Sequence, residues 1–231
     1  LKYISPPKDY LTLGIFGRSG SGKTTLLKQA IRGQPRVVLY DPMSDFTGRG
    51  WTTHTGGQVD KLTRTAARSR VRASYQPAKG VDPTEALNAV SAAILDAQAG
   101  YKSGAHKSWL LFAIDELSKP FPLNAEKRCP EFVEICDRGR HYGIKVLGIS
   151  QNINRTGMAF RDRLDAVCVG AQMRKGAQET AADMVGVHWH EIRDLKNYEF
   201  FAYSDGVRTF GKTKPQKSEK PYPGYTLPRV V

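Results

Sequence analysis

Three stretches predict an α/β fold with a mostly parallel central sheet flanked by helices. An apolar run at residues 11–16 leads into Gly17-Arg18-Ser19-Gly20-Ser21-Gly22-Lys23-Thr24, and a helical pattern follows at 24–31. Strand, glycine-rich loop and helix in that order are the setting of a phosphate-binding P-loop, G-x-x-x-x-G-K-[ST]. Residues 109–114 are apolar without alternation and end in Asp115-Glu116. Such a run suits a central parallel strand buried on both faces. Residues 145–151 form a third run of this kind, ending in Gln151.

The first stretch carries the most specific chemistry. Its glycines let backbone N–H groups turn inward around a phosphate, and the start of the following helix adds partial positive charge. Gly17, Ser19, Gly20, Ser21, Gly22, Lys23, Thr24 and Thr25 are the expected nucleotide-binding residues. Lys23 is expected to reach the β- and γ-phosphates, and the Thr24 hydroxyl to ligate Mg²⁺. ATP and Mg²⁺ are therefore the expected cofactors.

The next elements follow in order. Gly33-Gln34-Pro35 stops the first helix. Residues 36–40 read as a second strand, closed by Asp41-Pro42 with Asp45-Phe46 close behind. An acid there suits either the ligand edge of the sheet or ordinary turn chemistry. Residues 47–57, rich in Gly and Thr, read as loop. Residues 58–69 read as a helix with Lys61, Arg64 and Arg68 at i, i+3 and i+7, and 71–75 as a strand flanked by Arg70 and Arg72. Five cations without an acid fit either a solvated surface or a patch that tracks DNA phosphates.

Asp82 is the expected N-cap of a helix with Pro83 at its first position, running to about residue 99. Asp115-Glu116 then has the form of a Walker B segment. Asp115 would hold the magnesium ion; Glu116 would orient and deprotonate an attacking water. The adjacent second acid is typical of ATPases using in-line water, and the guanine-reading Asn-Lys-x-Asp is absent.

Pro130 opens a further helix that ends near Arg138-Gly139-Arg140-His141-Tyr142-Gly143. Gln151 could bond both γ-phosphate and attacking water, or could simply be a turn residue. A fifth strand at 165–170, a helix at 176–185 and a hairpin at 198–210 around Asp205-Gly206 complete the pattern. His188 and His190 resemble a metal pair, but no further ligands are spaced for one.

Composition adds bounds. The 231 residues suit a single ATPase domain, expected at 1–211, with an extended Pro/Lys-rich tail at 212–231. No apolar run approaches the roughly 20 residues of a membrane span. Three cysteines without a CxxC pair favour a reducing setting and no zinc site. A net charge of +13 exceeds what one nucleotide needs and points to a larger polyanion such as nucleic acid.

Taken together, the P-loop, Val37-to-Asp41-Pro42, Asp115-Glu116, the Arg138-to-Ile144 stretch and Ser150-Gln151 resemble the FtsK/HerA superfamily of DNA-pumping ATPases, across roughly residues 10–171. The brevity of the chain is similar to the genome-packaging ATPases of membrane-containing icosahedral viruses. The resemblance implies a RecA-like (ASCE) sheet, a ring of subunits, expected to be hexameric, and double-stranded DNA moved through it. It also implies an arginine supplied by the neighbouring subunit, Arg140 first and Arg138 second, alongside Glu116 and Gln151. Capsid vertex proteins are implied partners, and host cytoplasm or virion vertex the location. Two alternatives share the motifs: a filamentous-phage-type assembly ATPase, and a nucleotide-gated DNA-binding or vertex structural protein with little turnover.

Overall fold

The computed structural model describes residues 2–48 and 50–214. Its strands are β1 (Thr12–Phe16), β2 (Arg36–Tyr40), β3 (Thr52–Thr55), β4 (Val71–Gln76), β5 (Leu110–Ile114), β6 (Ile144–Ser150), β7 (Ala166–Val169), β8 (Glu199–Ser204) and β9 (Val207–Lys212). They form one sheet in the order β3-β4-β2-β5-β6-β1-β7-β8-β9. The first seven run parallel; β8 and β9 are antiparallel additions at one end. This is the mostly parallel α/β sheet of the RecA-like P-loop fold.

The helices are α1 (Lys23–Ile31), α2 (Val59–Ala66), α3 (Pro83–Ala97), α4 (Ala99–Lys102), α5 (Pro130–Arg138), α6 (Met158–Arg161), α7 (Lys175–Val185) and α8 (Trp189–Arg193). Alternation along the central strands divides the core in two. Leu13, Ile15, Val37 and Leu39 pack with Leu26 and Leu27 of α1 on one face. Phe16, Val38, Tyr40 and Phe112 pack with Leu62 of α2, Leu87 of α3 and Phe132 of α5 on the other. Burial on both faces explains why β2, β5 and β6 read as continuous apolar runs.

Several expectations hold at the level of single bonds. Asp82 caps α3 by accepting from the N–H groups of Thr84 (2.8 Å) and Glu85 (3.3 Å), with Pro83 at the first position. Asp205 and Gly206, both at positive φ, turn β8 into β9. The structure differs elsewhere. Residues 52–55, expected as loop, form β3 on the outer edge of the sheet. Only His54 of that strand is buried, so no apolar alternation announces it. The helix expected over 58–69 ends at Ala66, whose carbonyl is taken by the buried Arg36 guanidinium at 2.7 Å. His188 is a structural residue: it caps α8, and its backbone N–H donates to Glu191 at 2.9 Å. The expected 212–231 tail lies outside the described residues from 215 onward.

Candidate nucleotide site

Because the strands are parallel, the loops leaving β1, β2, β5 and β6 gather at one edge of the sheet, its carboxyl edge. The P-loop crosses there from β1 to α1. Gly20 (φ 73°) and Gly22 (φ 99°) hold left-handed conformations that a side chain would strain. Gly22 caps α1 without any side-chain hydrogen bond. The first-turn N–H groups of Lys23, Thr24 and Thr25 therefore have no acceptor among the described residues, nor do those of Ser19, Gly20 and Gly22. By contrast, the Gly17 N–H donates to Ser150 (3.2 Å) and the Ser21 N–H to Arg18 (3.2 Å), so these two shape the loop rather than point inward. The result is a concave set of donors at a helix start, suited to an oxyanion.

Lys23 is buried, and its ammonium donates to the Arg18 carbonyl at 3.0 Å. Burial lowers its pKa, opposed by the nearby Glu116 and Asp115. A cation held in this way gains most by meeting phosphate oxygens.

Asp115 follows β5, is 7% exposed, and has its pKa raised to about 6 by burial, then by Asp45, Asp41 and Glu116. That crowding of carboxylates creates a demand for a cation. Thr24 and Asp115 offer hydroxyl and carboxylate oxygens, the donor types magnesium prefers, and phosphate oxygens and water would complete its shell. Among the described residues no three His, Cys, Asp or Glu side chains are grouped to bind a metal by themselves.

Glu116 adopts φ 53°, a strained value for a residue with a side chain. Its neighbours impose it: the Asp115 N–H donates to Tyr40 (3.0 Å) and the Leu117 N–H to Ile149 (2.7 Å), pinning the chain on either side. The carboxylate accepts from the Ser118 hydroxyl (2.8 Å) and the Gln151 N–H (3.3 Å). Glu116 and Gln151 are thus brought together, as their strand-end positions predict.

Sequence reasoning left Asp41 open. It is fully buried and accepts from the N–H groups of Asp45 (3.0 Å) and Phe46 (2.9 Å), so it shapes the loop that carries Asp45 toward Asp115. The signal was available in the spacing, since an Asp bonding the N–H groups four and five residues ahead makes a compact loop. Ser118, two residues past Glu116, carried no such signal, because a lone serine beside an acid follows no distinctive pattern.

Arg138 and Arg140 lie elsewhere. Arg138 ends α5 and Arg140 lies within the 3-10 turn Gly139–Tyr142 just before β6 begins, at the opposite, amino edge of the sheet. Both are exposed; Arg138 pairs loosely with Glu134 at 3.7 Å. The proposed DNA patch is only partly brought together. Lys61 and Arg64 are exposed on α2, and Arg68 and Arg70 follow it as exposed residues. Arg72 is separate: it points to the α1 face, donates to the Ile31 carbonyl (3.1 Å) and lies over Trp51. The reason is strand alternation, which turns Arg72 away from the α2 side where Val71 and Ala73 face.

The sheet order and the loop from β1 to α1 define a RecA-like P-loop fold. Comparison with solved structures agrees. The genome packaging NTPase B204 from Sulfolobus turreted icosahedral virus 2, in complex with ATPγS, superposes with a TM-score of 0.69 at 15% identity, covering 90% of this chain and 98% of that one. B204 from Sulfolobus turreted icosahedral virus, described as a DNA-packaging ATPase, gives 0.65 at 17% identity over 91% and 100%. VirB4 of Thermoanaerobacter pseudethanolicus gives 0.63 at 12% identity over 89% and 90%. At such identities the likeness is one of fold. No family model and no curated protein matches the chain.

Proposed function

We propose that this protein is an ATP-hydrolysing motor that forms a ring and translocates double-stranded DNA, packaging a viral genome into a preformed capsid. The observation that carries the reading is the convergence at one sheet edge of the N–H donors at the start of α1, Lys23, Asp115, Glu116 and Gln151. In this reading Gly20, Gly22, Lys23, Thr24 and Thr25 bind the phosphates. Thr24 and Asp115 hold magnesium, which would neutralise charge developing on the transferred phosphoryl group. Glu116 accepts a proton from the attacking water, and Gln151 orients that water. Arg140, with Arg138 as second choice, serves a neighbouring subunit, since both stand at the edge away from their own phosphate loop.

The charge of +13 and the exposed Lys61, Arg64, Arg68 and Arg70 support a polyanionic partner. The shared fold with B204 supports packaging in particular. Among the described residues no helix is long and apolar enough to cross a membrane.

ATP turnover measured against protein concentration, duplex DNA and salt tests the whole reading. A DNA motor completed between subunits rises with protein and with DNA, and falls with salt. Turnover indifferent to all three overturns it. Tight ATP binding without turnover, even with DNA, transfers the assignment to a nucleotide-gated structural protein.

A further inference from the structure

Resting on the reading that the P-loop binds a nucleoside triphosphate, we propose that Tyr198 is the platform on which the nucleobase stacks. The direction of the bound nucleotide follows from strand order. Asp115 and Glu116 leave β5, two strands from β1 on one side, in the order β5-β6-β1-β7-β8-β9. The γ-phosphate must face these acids and Lys23, so the nucleoside end leaves toward β7, β8 and β9.

Tyr198 stands on that side, immediately before β8, with 37% of its surface exposed. Its ring rests on the P-loop: a Cβ added to Gly22 would lie 2.7 Å from Tyr198 Cδ1 and 3.3 Å from Cε1. Gly22 thus serves the ring's approach as well as the loop's own turn.

The segment around Tyr198 is fastened to the P-loop rather than resting on it by chance. The Tyr198 N–H donates to the Ser21 carbonyl at 2.9 Å, and its carbonyl accepts from the Thr213 N–H at 2.8 Å. The Arg18 guanidinium donates to the Asn197 side chain at 3.2 Å. Thr213 is itself buried and accepts from Gln29 of α1 at 3.1 Å. Tyr198 holds φ 69°, a left-handed value unfavourable for an aromatic residue. These bonds keep it there and present an exposed ring beside the start of α1. An aromatic face so held offers stacking to any base, and such stacking is tolerant of base identity. The site is therefore expected to select triphosphates strongly and bases weakly.

The experiment compares binding of ATP, GTP and inorganic tripolyphosphate, each with magnesium, to the wild-type protein, Tyr198→Asn and Tyr198→Trp by calorimetry. Asparagine tolerates the left-handed conformation, so Tyr198→Asn removes the ring and spares the backbone. Tyr198→Asn is expected to bind ATP and GTP about tenfold more weakly. Its affinity for tripolyphosphate should stay unchanged, and Tyr198→Trp should keep wild-type affinity for all three. Unchanged ATP affinity in Tyr198→Asn overturns the platform. Equal loss for ATP and tripolyphosphate also overturns it, because the residue would then act only by shaping the P-loop. A wild-type protein that binds neither removes the nucleotide reading itself, an outcome distinct from the other two.

Discussion

At the carboxyl edge of the sheet, loops after β1, β2, β5 and β6 bring helix N–H groups, a buried lysine and four acids into one small region. At the amino edge, one strand length away, the chain presents Arg138, Arg140 and Lys145, and a cavity of about 720 Å³ lined by Tyr10, Arg36 and Trp109. The chemistry that polarises a phosphate is all at the first edge. The two arginines proposed to serve a neighbouring subunit, Arg138 and Arg140, are at the second. On the proposed reading, one subunit carries both parts of a phosphoryl-transfer site at opposite ends of its parallel strands. If the parts work together, they do so between copies.

The largest expected effect breaks the carboxyl edge alone. Lys23→Ala should abolish ATP binding while circular dichroism remains that of the wild type, since among the described residues the ammonium contributes one internal bond, to the Arg18 carbonyl. Wild-type affinity in this variant would remove Lys23 from the site.

The comparison between edges is sharpened by Arg140→Ala. An arginine supplied in trans is worth about 10³ to 10⁵ in turnover. The variant should keep ATP affinity and lose turnover by about that factor. Mixing it with Lys23→Ala subunits should restore part of the activity, because some interfaces then pair an intact P-loop with an intact arginine. Absence of recovery at every mixing ratio counts against the role, and the same experiment with Arg138→Ala decides between the two.

Glu116→Gln tests a narrower element of the carboxyl edge. General-base removal costs about 10² to 10⁴ in rate. The glutamine side chain can still accept from Ser118 and the Gln151 N–H, so ATP should stay bound while hydrolysis stops. Undiminished turnover excludes Glu116 as the base.

The carboxyl edge was legible in the sequence because its residues occur at fixed places relative to strand ends. A residue that terminates an apolar run must emerge at the loop edge, so Asp115, Glu116 and Gln151 could be assigned without coordinates. The amino edge was not legible in this way. Arg36 begins a strand and nothing in its sequence setting marks burial, yet it is buried, donating to the Ser108 and Ala66 carbonyls at 2.7 Å each. Strand β3 escaped notice because an edge strand with one buried residue carries no period. The DNA patch was misread at Arg72, where alternation along β4 outweighs nearness in sequence. Tyr198 lies 176 positions from Gly22 in sequence, and only the hairpin of β8 and β9 brings it there.

The smallest expected effect concerns stability at the carboxyl edge itself. Asp115 has its pKa raised to about 6 by burial and by Asp45, Asp41 and Glu116, with the Lys23 ammonium nearby. A carboxyl whose folded pKa lies above the unfolded value near 3.8 binds its proton more tightly when folded. The folded protein therefore loses stability as pH rises from about 4 to about 6, and the loss is complete above that. At about 1.4 kcal/mol per pKa unit, the penalty at neutral pH is at most ~3 kcal/mol. Asp115→Asn should remove it. In the absence of nucleotide, the variant should melt several degrees higher than the wild type at pH 7.5. The gain should shrink as pH falls through about 6 and vanish near pH 4. Adding ATP and magnesium should reverse the order, stabilising the wild type more than the variant, because the ionised carboxylate then meets a cation. A gain independent of pH would show that Asp115 is strained by packing rather than by charge, and that the crowding of acids is not what the bound cation relieves.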